Sequence, residues 1–425
     1  MTLALDPREQ AMLRGDSGAG VALAMRLVVR AAEMLEADRL ISITRAHLDA
    51  CLYHGEASLD FVQRLATDGA RVAVPTSLNV GGLDLLHPEL WHGDPAAAAS
   101  GRGLMDAYRA LGCRPTFTCA PYDLGDLRPR LGEQVAWGES NAIVFCNSVL
   151  GARTNRYGDF IDAACAVSGR APDAGLQRDE PRRARLVLRL GSDVPPALLA
   201  DDAFYPVLGL VVGRRAGTTI AAIEGLPPGT SEGRLKALGA AAASAGPVAL
   251  FHVVGVTPEA ASLDDALQGQ PPEADEAITF GELRAARAGL MTAGDDEPLR
   301  AVSLGTPHAS LPELRRITAL LGSGRAHPGV ELLVSPSRDL LAAAEDEGLA
   351  ARLRGAGAEL LADTCSYVVP ALRPGPGSVM TDSGKWAYYG PGNVGARVVF
   401  GSTAECVASA VAGRVVRLPS AWDAP

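Results

Sequence analysis

The chain has few aromatic residues, no long apolar segment and no surplus of positive charge. Phe, Trp and Tyr make up 5% of its 425 residues, so any core must be built chiefly from Ala, Val and Leu. The formal net charge is −10 at pH 7. This charge argues against nucleic acid or an anionic membrane as a partner, because both require concentrated positive charge. No apolar run reaches the roughly 18 to 20 residues that cross a bilayer.

A secretion signal and a disulfide framework are also missing. The N-terminus "MTLALDPREQ" carries acidic residues early and has no basic segment leading into an apolar one, as a signal peptide would. The seven cysteines are odd in number and irregularly spaced, which does not suit a set of disulfides. We therefore expect a cytoplasmic protein whose cysteines are core residues, metal ligands or nucleophiles.

Three common catalytic motifs are absent from the ends of the predicted strands. None of the patterns GxSxG, HExxH and GxGxxG directly follows a predicted strand. Hydrolases and dinucleotide-dependent oxidoreductases are therefore disfavoured.

Short apolar runs alternate with Ala- and Leu-rich helical patterns along most of the chain. These runs lack strict alternation, which is typical of parallel strands covered on both faces, and the alternation with helices predicts an α/β fold. The predicted strands are residues 39–44, 71–77, 115–119, 185–190, 206–212, 247–256, 299–305, 330–337 and 358–365. Predicted helices include residues 18–37, 311–323 and 339–357.

Two cysteines, Cys119 and Cys365, stand at the carboxyl ends of predicted strands. Open α/β sheets bind ligands at this edge, although free cysteine is also among the most buried residue types. A second cluster, "AHLDACLYHGEA" at 46–57, places His47, Asp49 and Cys51 together. It is incomplete as a zinc site, and a half-buried loop explains it equally well.

Three further segments carry polar groups suited to a small anion. Residues 149–160 contain Arg153, Thr154, Asn155 and Arg156, which suit recognition of a carboxylate or phosphate, or form a solvated surface loop. In "VMTDSGKWAYYGPG", Ser383 and Lys385 stand where an anion-binding turn would place them. Residues 75–93 form a polar strand end with Thr76, Ser77 and Asn79.

The segment "SLGTPHASLPEL" at 303–314 leads from a strand into a helix. Ser310 is the expected helix cap. His308 is either a ligand contact or an ordinary histidine at a helix entry.

Taken together, these segments resemble the large, catalytic part of aconitase X. The resemblance rests on "AHLDACLYHGEA", "VPTSLNVGGLDLLHPELWHG", "TCAPY", "VLGARTNRYGDF", "DTCSYV" and "TDSGKWAYYGPG", and it spans residues 15 to 413. The "HLDACLYHG" and "RTNRYGDF" forms look most like the bacterial branch that dehydrates cis-3-hydroxy-L-proline. The archaeal branch, which dehydrates mevalonate 5-phosphate, is the close relative.

The resemblance implies an aconitase-like fold of stacked α/β subdomains around a central cleft. Possible subdomain bounds are about 1–180, 181–300 and 301–425. It also implies an iron centre, either a 2Fe-2S or 4Fe-4S cluster or a mononuclear iron, held by Cys51, Cys119 and Cys365. The first family-like segment begins near residue 15 and the chain stops at "RLPSAWDAP". We therefore expect the small swivelling domain of the family to be a separate partner subunit.

By the same resemblance, His47, Ser383 and Lys385 are the expected catalytic residues. The expected substrate-binding residues are Thr76, Ser77, Asn79, Arg153, Thr154, Asn155 and Arg156. Cys113, Cys146, Cys165 and Cys406 are expected to be structural.

The sequence departs from the family pattern in three places. Asp382 replaces a common Asn, Thr306 replaces a common Cys, and "GLQRDEPRRA" at 175–184 lacks a usual His and Asn. If the last segment contacts substrate, the specificity could have moved to another hydroxy acid such as mevalonate 5-phosphate. The remaining alternative is a metal-free, non-catalytic subunit.

Overall fold

A computed structural model describes residues 3–49 and 51–423, and the chain divides into two compact units. The first unit comprises the chain up to Leu83, together with Asp94–Arg183 and Thr257–Glu259. The second unit comprises Asp84–Gly93, Ala184–Val256 and the chain from Ala260 onward. Each unit therefore includes a short segment that is flanked in the sequence by residues of the other unit.

The first unit contains six α-helices and five strands among the described residues. Its helices are α1 (Pro7–Arg14), α2 (Ala19–Met34), α3 (Glu56–Thr67), α4 (Pro95–Ala110), α5 (Ser140–Ser148) and α6 (Asp159–Ser168). Its strands are β1 (Leu40–Ser42), β2 (Ala46–Leu48), β3 (Thr76–Leu78), β4 (Ala136–Trp137) and β5 (Arg170–Pro172).

The second unit is larger and repeats a strand-then-helix pattern. Its helices are α7 (Phe204–Ala216), α8 (Glu232–Ala245), α9 (Leu263–Leu267), α10 (Phe280–Ala288), α11 (Leu311–Leu321), α12 (Arg338–Asp346), α13 (Leu349–Gly355), α14 (Gly384–Val394) and α15 (Thr403–Ala412). Its strands are β6 (Leu186–Leu190), β7 (Ala221–Glu224), β8 (Phe251–Val253), β9 (Ala274–Ile278), β10 (Leu299–Ala309), β11 (Glu331–Pro336), β12 (Ala358–Leu360), β13 (Ser378–Thr381) and β14 (Arg397–Phe400).

In the first unit, a three-stranded parallel sheet has the order β3-β2-β4. The register of β2 and β3 places His47 directly beside Ser77. Since the three strands run in the same direction, the residues that follow them meet at one edge of the sheet. Strands β1 and β5 form a separate antiparallel pair.

The second unit contains two fully parallel sheets, with the orders β12-β11-β10-β13-β14 and β8-β7-β6-β9. The larger sheet packs against helices through a core that includes Val302, Leu332, Val334, Leu314 and Val407. Parallel strands covered by helices are the arrangement that the apolar runs predict. The predicted α/β class is therefore confirmed.

The predicted strand at 206–212 is wrong, because these residues lie inside helix α7. An unbroken apolar run indicates burial on all sides, and periodicity alone cannot separate a buried helix from a buried strand. Helix α7 packs closely on α8, and a Cβ added at Gly213 would approach the Cβ of Ala245 to 3.0 Å. The small residues thus serve a helix–helix contact rather than a sheet.

The predicted strand at 115–119 is also wrong, since the chain there is extended but not assigned to a strand. Phe117 has a φ of +40°, which interrupts a regular ladder. The Thr116 side chain instead replaces strand pairing by accepting from the Leu78 N–H and donating to the Leu78 carbonyl at 2.9 and 2.8 Å. Likewise, the helix predicted over 339–357 is two helices, α12 and α13, separated at Glu347 and Gly348.

The longest helices, α2 and α4, have 16 residues each. Within residues 3–49 and 51–423, no helix combines the length and the apolar character that a membrane crossing requires.

Candidate functional site

In the second unit, His308 and Cys365 place two potential metal ligands next to each other. His308 lies near the end of β10, and Cys365 lies in the loop that follows β12. An imidazole nitrogen of His308 and the Sγ of Cys365 are within 4.8 Å of each other, and both residues are fully buried. Imidazole and thiolate are ligands that suit iron and zinc. The pair could therefore contribute two ligands to one metal ion.

The orientation of the His308 ring is fixed by its neighbours. Its Nε2 lies 2.9 Å from the main-chain oxygen of Thr364, and a carbonyl oxygen can only accept a hydrogen bond. Nε2 therefore carries the proton, and the lone pair available to a ligand is on Nδ1. The His308 carbonyl accepts from Nζ of the buried Lys236 at 2.7 Å. Lys236 is paired in turn with Glu313 at 2.7 Å.

The loop that carries Cys365 is held by buried carboxylates. Asp363 adopts a φ of +59° and receives two hydrogen bonds from the Arg338 guanidinium, at 2.7 and 2.6 Å. The carboxylate of Asp84 accepts from the Ala362 N–H at 2.7 Å. These contacts fix the backbone on the N-terminal side of Cys365.

Close approach of two strands also shapes the region near His308. Gly305 has a φ of +87°, and a Cβ there would lie 2.7 Å from the main-chain oxygen of Ser335. Only glycine tolerates both this positive φ and this close approach to the neighbouring strand. The pairing of β10 with β11 shifts register between Leu304 and Ala309, which displaces His308 from a regular ladder position.

Ser383 and Lys385 lie at the N-terminus of helix α14, where the sequence predicts an anion-binding turn. The Ser383 hydroxyl caps the helix by accepting from the Trp386 N–H at 3.0 Å. Lys385 is buried, and its Nζ lies 5.9 Å from the ring centroid of Tyr367. A helix N-terminus with a nearby lysine favours an anion. The substrate contacts of both residues stay a prediction.

In the first unit, Cys119 is buried in the extended segment that follows β3 and α4. Its main-chain oxygen accepts from the side-chain amide of Asn141 at 2.6 Å. The Tyr122 hydroxyl donates to the Asn141 oxygen at 3.0 Å. The backbone at Cys119 is thus fixed by helix α5, and its role as a ligand stays a prediction.

His47 presents one ring nitrogen that lacks a protein partner. Its Nδ1 lies 2.8 Å from the Ser77 hydroxyl, which also lies within reach of the Ala46 carbonyl. Its Nε2 is buried and makes no hydrogen bond among the described residues. Burial lowers the pKa of His47 to about 4, although Glu139 partly opposes this. The imidazole is therefore neutral at neutral pH, and contact of its Nε2 with a substrate stays a prediction.

The other predicted residues of this sheet edge differ in their surroundings. The Asn79 side-chain amide donates to the carboxylate of Asp49, so the residues that directly follow β3 and β2 are in contact at one edge of the sheet. The Thr76 hydroxyl makes a local hydrogen bond to the Val74 carbonyl at 2.8 Å. This contact stabilises the turn before β3. Substrate binding by Thr76 stays a prediction.

The predicted carboxylate-binding segment is engaged in structural contacts. Asn155 accepts from the Leu176 N–H at 2.7 Å and donates to the Ala174 carbonyl at 2.8 Å. Arg153 is paired with Asp179, and the Thr154 hydroxyl accepts from the Trp137 N–H at 2.9 Å. Arg156 is the fourth residue of this predicted set. These contacts support the 174–179 loop, and substrate binding by the four residues stays a prediction.

The divergent segment at 175–184 is a structural element of the first unit. Gln177 is buried and donates to the Val135 carbonyl at 3.1 Å. Arg182 is 2% exposed and donates to Glu259 at 2.9 Å and to the side-chain and main-chain oxygens of Asn147 at 3.1 and 2.9 Å. These partners could not be predicted from the sequence, because Glu259 is distant in the chain.

Cys51 lies in a buried cluster of thiol and carboxyl groups. Burial raises the pKa of its thiol well above the ordinary value, and Cys113, Asp49 and Asp159 add to the effect. A metal cation beside the sulfur would offset this by stabilising the thiolate. Its role as a ligand also stays a prediction.

Sequence models of the aconitase X family match most of the chain. The first-domain model of aconitase X matches residues 2–180, the second-domain model residues 184–288, and the third-domain model residues 299–412.

Curated relatives of this chain are named as dehydratases. It is 44% identical to cis-3-hydroxy-L-proline dehydratase of Pseudomonas aeruginosa, over 98% of this chain and 72% of the relative. It is 40% identical to the Hypocrea jecorina enzyme of the same name, over 97% of this chain and 69% of the relative. It is 37% identical to the phosphomevalonate dehydratase large subunit of Methanothermobacter thermautotrophicus, over 93% of this chain and 96% of the relative.

A solved structure has the same fold. The crystal structure of Thermococcus kodakaraensis aconitase X in its holo form is similar with a TM-score of 0.84 and 31% sequence identity. The similarity covers 96% of this chain and 100% of that one.

Proposed function

Because this chain belongs to the aconitase X family, we propose that it is a hydro-lyase that removes water from cis-3-hydroxy-L-proline. The observation that carries this proposal is the 44% identity, over 98% of the chain, to a dehydratase named for that substrate. The 40% identity to a second dehydratase of the same name supports it. Identity to a relative named for phosphomevalonate is lower, at 37%.

The proposed reaction breaks one C–H and one C–O bond. A base removes the proton from the α-carbon, the C3 hydroxyl leaves as water after protonation, and a C2–C3 double bond forms. The cyclic enamine that results takes up a proton on carbon and becomes a pyrroline-2-carboxylate. The enzyme must therefore stabilise the charge that spreads into the carboxylate and assist the departing hydroxyl.

We assign the iron centre to Cys119 and Cys365 and add His308 as a third ligand. The neighbouring ligand atoms and complete burial of His308 and Cys365 support this assignment. Cys51 remains a proposed ligand on the strength of the family resemblance. Iron bound by these residues would act as a Lewis acid on the substrate hydroxyl. The proposal covers a 2Fe-2S cluster, a 4Fe-4S cluster and a mononuclear iron.

The side chains of this chain bind and orient the substrate. Ser383, Lys385 and the N-terminus of α14 bind the substrate carboxylate. His47, neutral at neutral pH, accepts a hydrogen bond at Nε2 from the substrate hydroxyl. Ser77 maintains the orientation of the His47 ring. Arg153 and Asn155 support the adjoining loop, and together with Thr154 and Arg156 they are proposed to bind the substrate, as the family resemblance implies.

A separate small subunit is the proposed partner. The chain covers 96% of a relative that is named a large subunit, but only 72% and 69% of the two hydroxyproline dehydratases. It therefore matches the named large subunit in extent, while its sequence is nearer to the longer enzymes. Since all seven cysteines are free, we place the complex in the reducing cytoplasm.

The function is tested by incubating the anaerobically purified chain, with and without its candidate small subunit, with cis-3-hydroxy-L-proline. We expect loss of the substrate and formation of pyrroline-2-carboxylate. Mevalonate 5-phosphate serves as the rival substrate. Turnover of the phosphate compound alone would reject the proposed substrate and keep the hydro-lyase assignment.

The metal ligands are tested by iron and sulfide analysis of purified variants. We expect Cys119→Ser, Cys365→Ser and His308→Ala to lose most of the bound iron. Cys146→Ser and Cys406→Ser are matched controls, since both cysteines are buried, and both should retain iron. A wild-type protein without iron after anaerobic reconstitution would favour the non-catalytic subunit.

A further inference from the structure

Lysine is scarce in this chain, and both of its lysines are buried. Lys236 and Lys385 are the only two among 39 lysines and arginines, and each is 4% exposed. A buried ammonium loses its hydration, so it is stabilised only where fixed acceptors replace the water. The acceptors of Lys236 therefore indicate what this buried charge does.

Lys236 extends from helix α8 to the end of strand β10. Its Nζ donates to the main-chain oxygen of His308 and to Oε2 of Glu313, at 2.7 Å in both cases. The Lys236 side chain is 4% exposed, whereas that of Glu313 is 40% exposed. The carboxylate therefore keeps contact with water, and the buried acceptor of the two is the His308 carbonyl.

Glu313 connects this contact to the start of helix α11. Its Oε2 accepts hydrogen bonds from the main-chain N–H and the hydroxyl of Ser310, at 2.7 and 2.8 Å. Ser310 is the N-cap of α11 and stands two residues after His308. One carboxylate oxygen thus binds both the helix cap and the ammonium that holds the His308 carbonyl. The backbone from His308 to Ser310 is therefore fixed at both ends.

The His308 ring is fixed separately, by the loop that follows β12. Its Nε2 donates to the main-chain oxygen of Thr364 at 2.9 Å, and Thr364 directly precedes Cys365. The carbonyl and the ring of His308 are thus held by different elements of the second unit. The direction of the Nδ1 lone pair depends on both contacts, because a backbone released at His308 would also let the ring leave Thr364.

We propose that Lys236 is a positioning residue for His308, on which it acts through the main chain. The Lys236–Glu313 pair holds the backbone and the Thr364 carbonyl holds the ring, so that Nδ1 keeps the one direction that a metal ligand requires. Groups that contact a metal ligand orient that ligand, and their removal lowers metal affinity about 10- to 100-fold. The inference deepens the proposed function and rests on it, because His308 is a proposed iron ligand.

An ammonium suits this position better than a guanidinium. Lysine carries three donors on one nitrogen, so it can bind a main-chain oxygen and a carboxylate oxygen at equal distance. The planar guanidinium spreads its donors over three nitrogens and needs more room than a site that is 4% exposed offers. This difference accounts for a lysine in a chain whose other basic residues, apart from Lys385, are arginines.

The test compares Lys236→Met with Arg234→Met. Methionine has a length similar to that of lysine and removes all three donors, while Glu313 stays hydrated. Arg234 is the matched control, because it lies on the same helix and pairs with Asp202 at 2.9 Å. Nuclear magnetic resonance of the iron-free full chain, with isotope-labelled histidine ring nitrogens, measures the state of the His308 ring without any metal.

In the wild type, we expect His308 to give the signal of a single imidazole protonated at Nε2. His308→Ala identifies this signal among those of the seven histidines. Lys236→Met should shift the signal toward a mixture of the two tautomers, and Arg234→Met should leave it unchanged. A His308 signal in Lys236→Met equal to that of the wild type would overturn the proposal.

Iron binding gives the second measurement. After anaerobic reconstitution of the full chain with ferrous iron and sulfide, competition with a chelator measures the iron affinity. We expect Lys236→Met to bind iron at least about tenfold more weakly, and the Arg234→Met control to keep the wild-type affinity. Wild-type affinity in Lys236→Met would also overturn the proposal. If Lys236→Met does not fold, its combination with Glu313→Gln removes both charges and keeps a residue that suits the capping box.

Separate outcomes distinguish this inference from the proposed function. If the His308 signal depends on Lys236 but His308→Ala retains all of its iron, the positioning of the ring stands and the ligand assignment fails. If the wild type dehydrates cis-3-hydroxy-L-proline and His308→Ala loses iron, while Lys236→Met matches the wild type in both measurements, the proposed function stands and the positioning role fails.

Discussion

Arg338 and Asp363 form a two-point ion pair, with nitrogen–oxygen distances of 2.7 and 2.6 Å. The Asp363 side chain is fully buried, whereas that of Arg338 is 26% exposed. Asp363 also accepts from the Leu85 N–H at 3.1 Å. The pair therefore restrains the loop that carries Cys365 from two elements of the second unit.

Replacement of Arg338 should strongly destabilise the second unit. Arg338→Met leaves the Asp363 carboxylate buried without its counter-charge, and breaking such pairs costs about 3 kcal/mol or more. Arg315→Met is the matched control, because Arg315 makes a two-point pair with Glu347 on the surface. The control should be nearly neutral, because water and salt screen an exposed pair. Urea unfolding of both variants measures the difference, and equal losses would contradict the explanation.

A similar loss is expected for Arg182 in the first unit. Arg182→Met removes the counter-charge of Glu259 and the hydrogen bonds of Arg182 to both oxygens of Asn147, so we expect destabilisation by about 3 kcal/mol. Arg64→Met removes an exposed pair with Asp68 and should be nearly neutral. Thermal unfolding followed by circular dichroism distinguishes the two variants. A neutral Arg182→Met would show that the network is dispensable.

Helix packing in the second unit predicts opposite effects for two glycine substitutions. Gly209→Ala would drive its Cβ into the main-chain oxygen of Leu238 and against the Ala241 side chain, and such overpacking costs about 3 kcal/mol. Gly233→Ala, in the first turn of α8, meets only the Ser231 hydroxyl at 4.0 Å and should stabilise by about 0.5–1 kcal/mol. The denaturant concentration at the unfolding midpoint should fall for Gly209→Ala and rise for Gly233→Ala, relative to the wild type.

The carboxyl of Asp382 predicts a pH-dependent stability. Burial raises its pKa from 3.8 to about 6, despite a hydrogen bond from Thr403. The folded state therefore holds the proton more tightly than the unfolded state, and this group lowers the stability as pH rises from about 4 to about 6. Asp382→Asn, which replaces the carboxyl with a neutral amide of similar size, should remove this effect. Because each pKa unit is worth about 1.4 kcal/mol, the gain is at most about 3 kcal/mol above pH 6 and vanishes near pH 4.

Melting temperatures between pH 4 and pH 8 measure this dependence. Asp295→Asn is a control of opposite sign, because Arg417 holds the pKa of Asp295 below its ordinary value. This variant should lose stability at neutral pH. A pH-independent difference between Asp382→Asn and the wild type would rule out the titration.

Local patterns in the sequence were sufficient for part of the fold. The apolar runs that form β6, β10 and β11 are bounded by turns and covered on both faces, so their type follows from the pattern. Ser310 is the helix cap that the sequence predicts, with Glu313 completing a capping box. The strand predicted over residues 206–212 is wrong because the burial of this run depends on its packing against α8, and no local pattern reveals that contact.

The candidate site depends more strongly on contacts between distant residues. His308 is both a helix-entry histidine and a neighbour of Cys365, and the sequence could not choose between these roles. Arg153 and Asn155 suit an anion by residue type, yet their partners are the 174–179 loop.

The division of each unit between separated segments of chain affects its biosynthesis. Arg182 is translated 77 residues before Glu259, and Asp84 is translated 278 residues before Ala362. Domains generally fold in order as they leave the ribosome, but the first unit cannot complete its buried ion pair until part of the second has been made. On a nascent chain, Arg182 and Asp84 therefore stay hydrated, and neither side chain can be buried with these partners until the later segments have been synthesised.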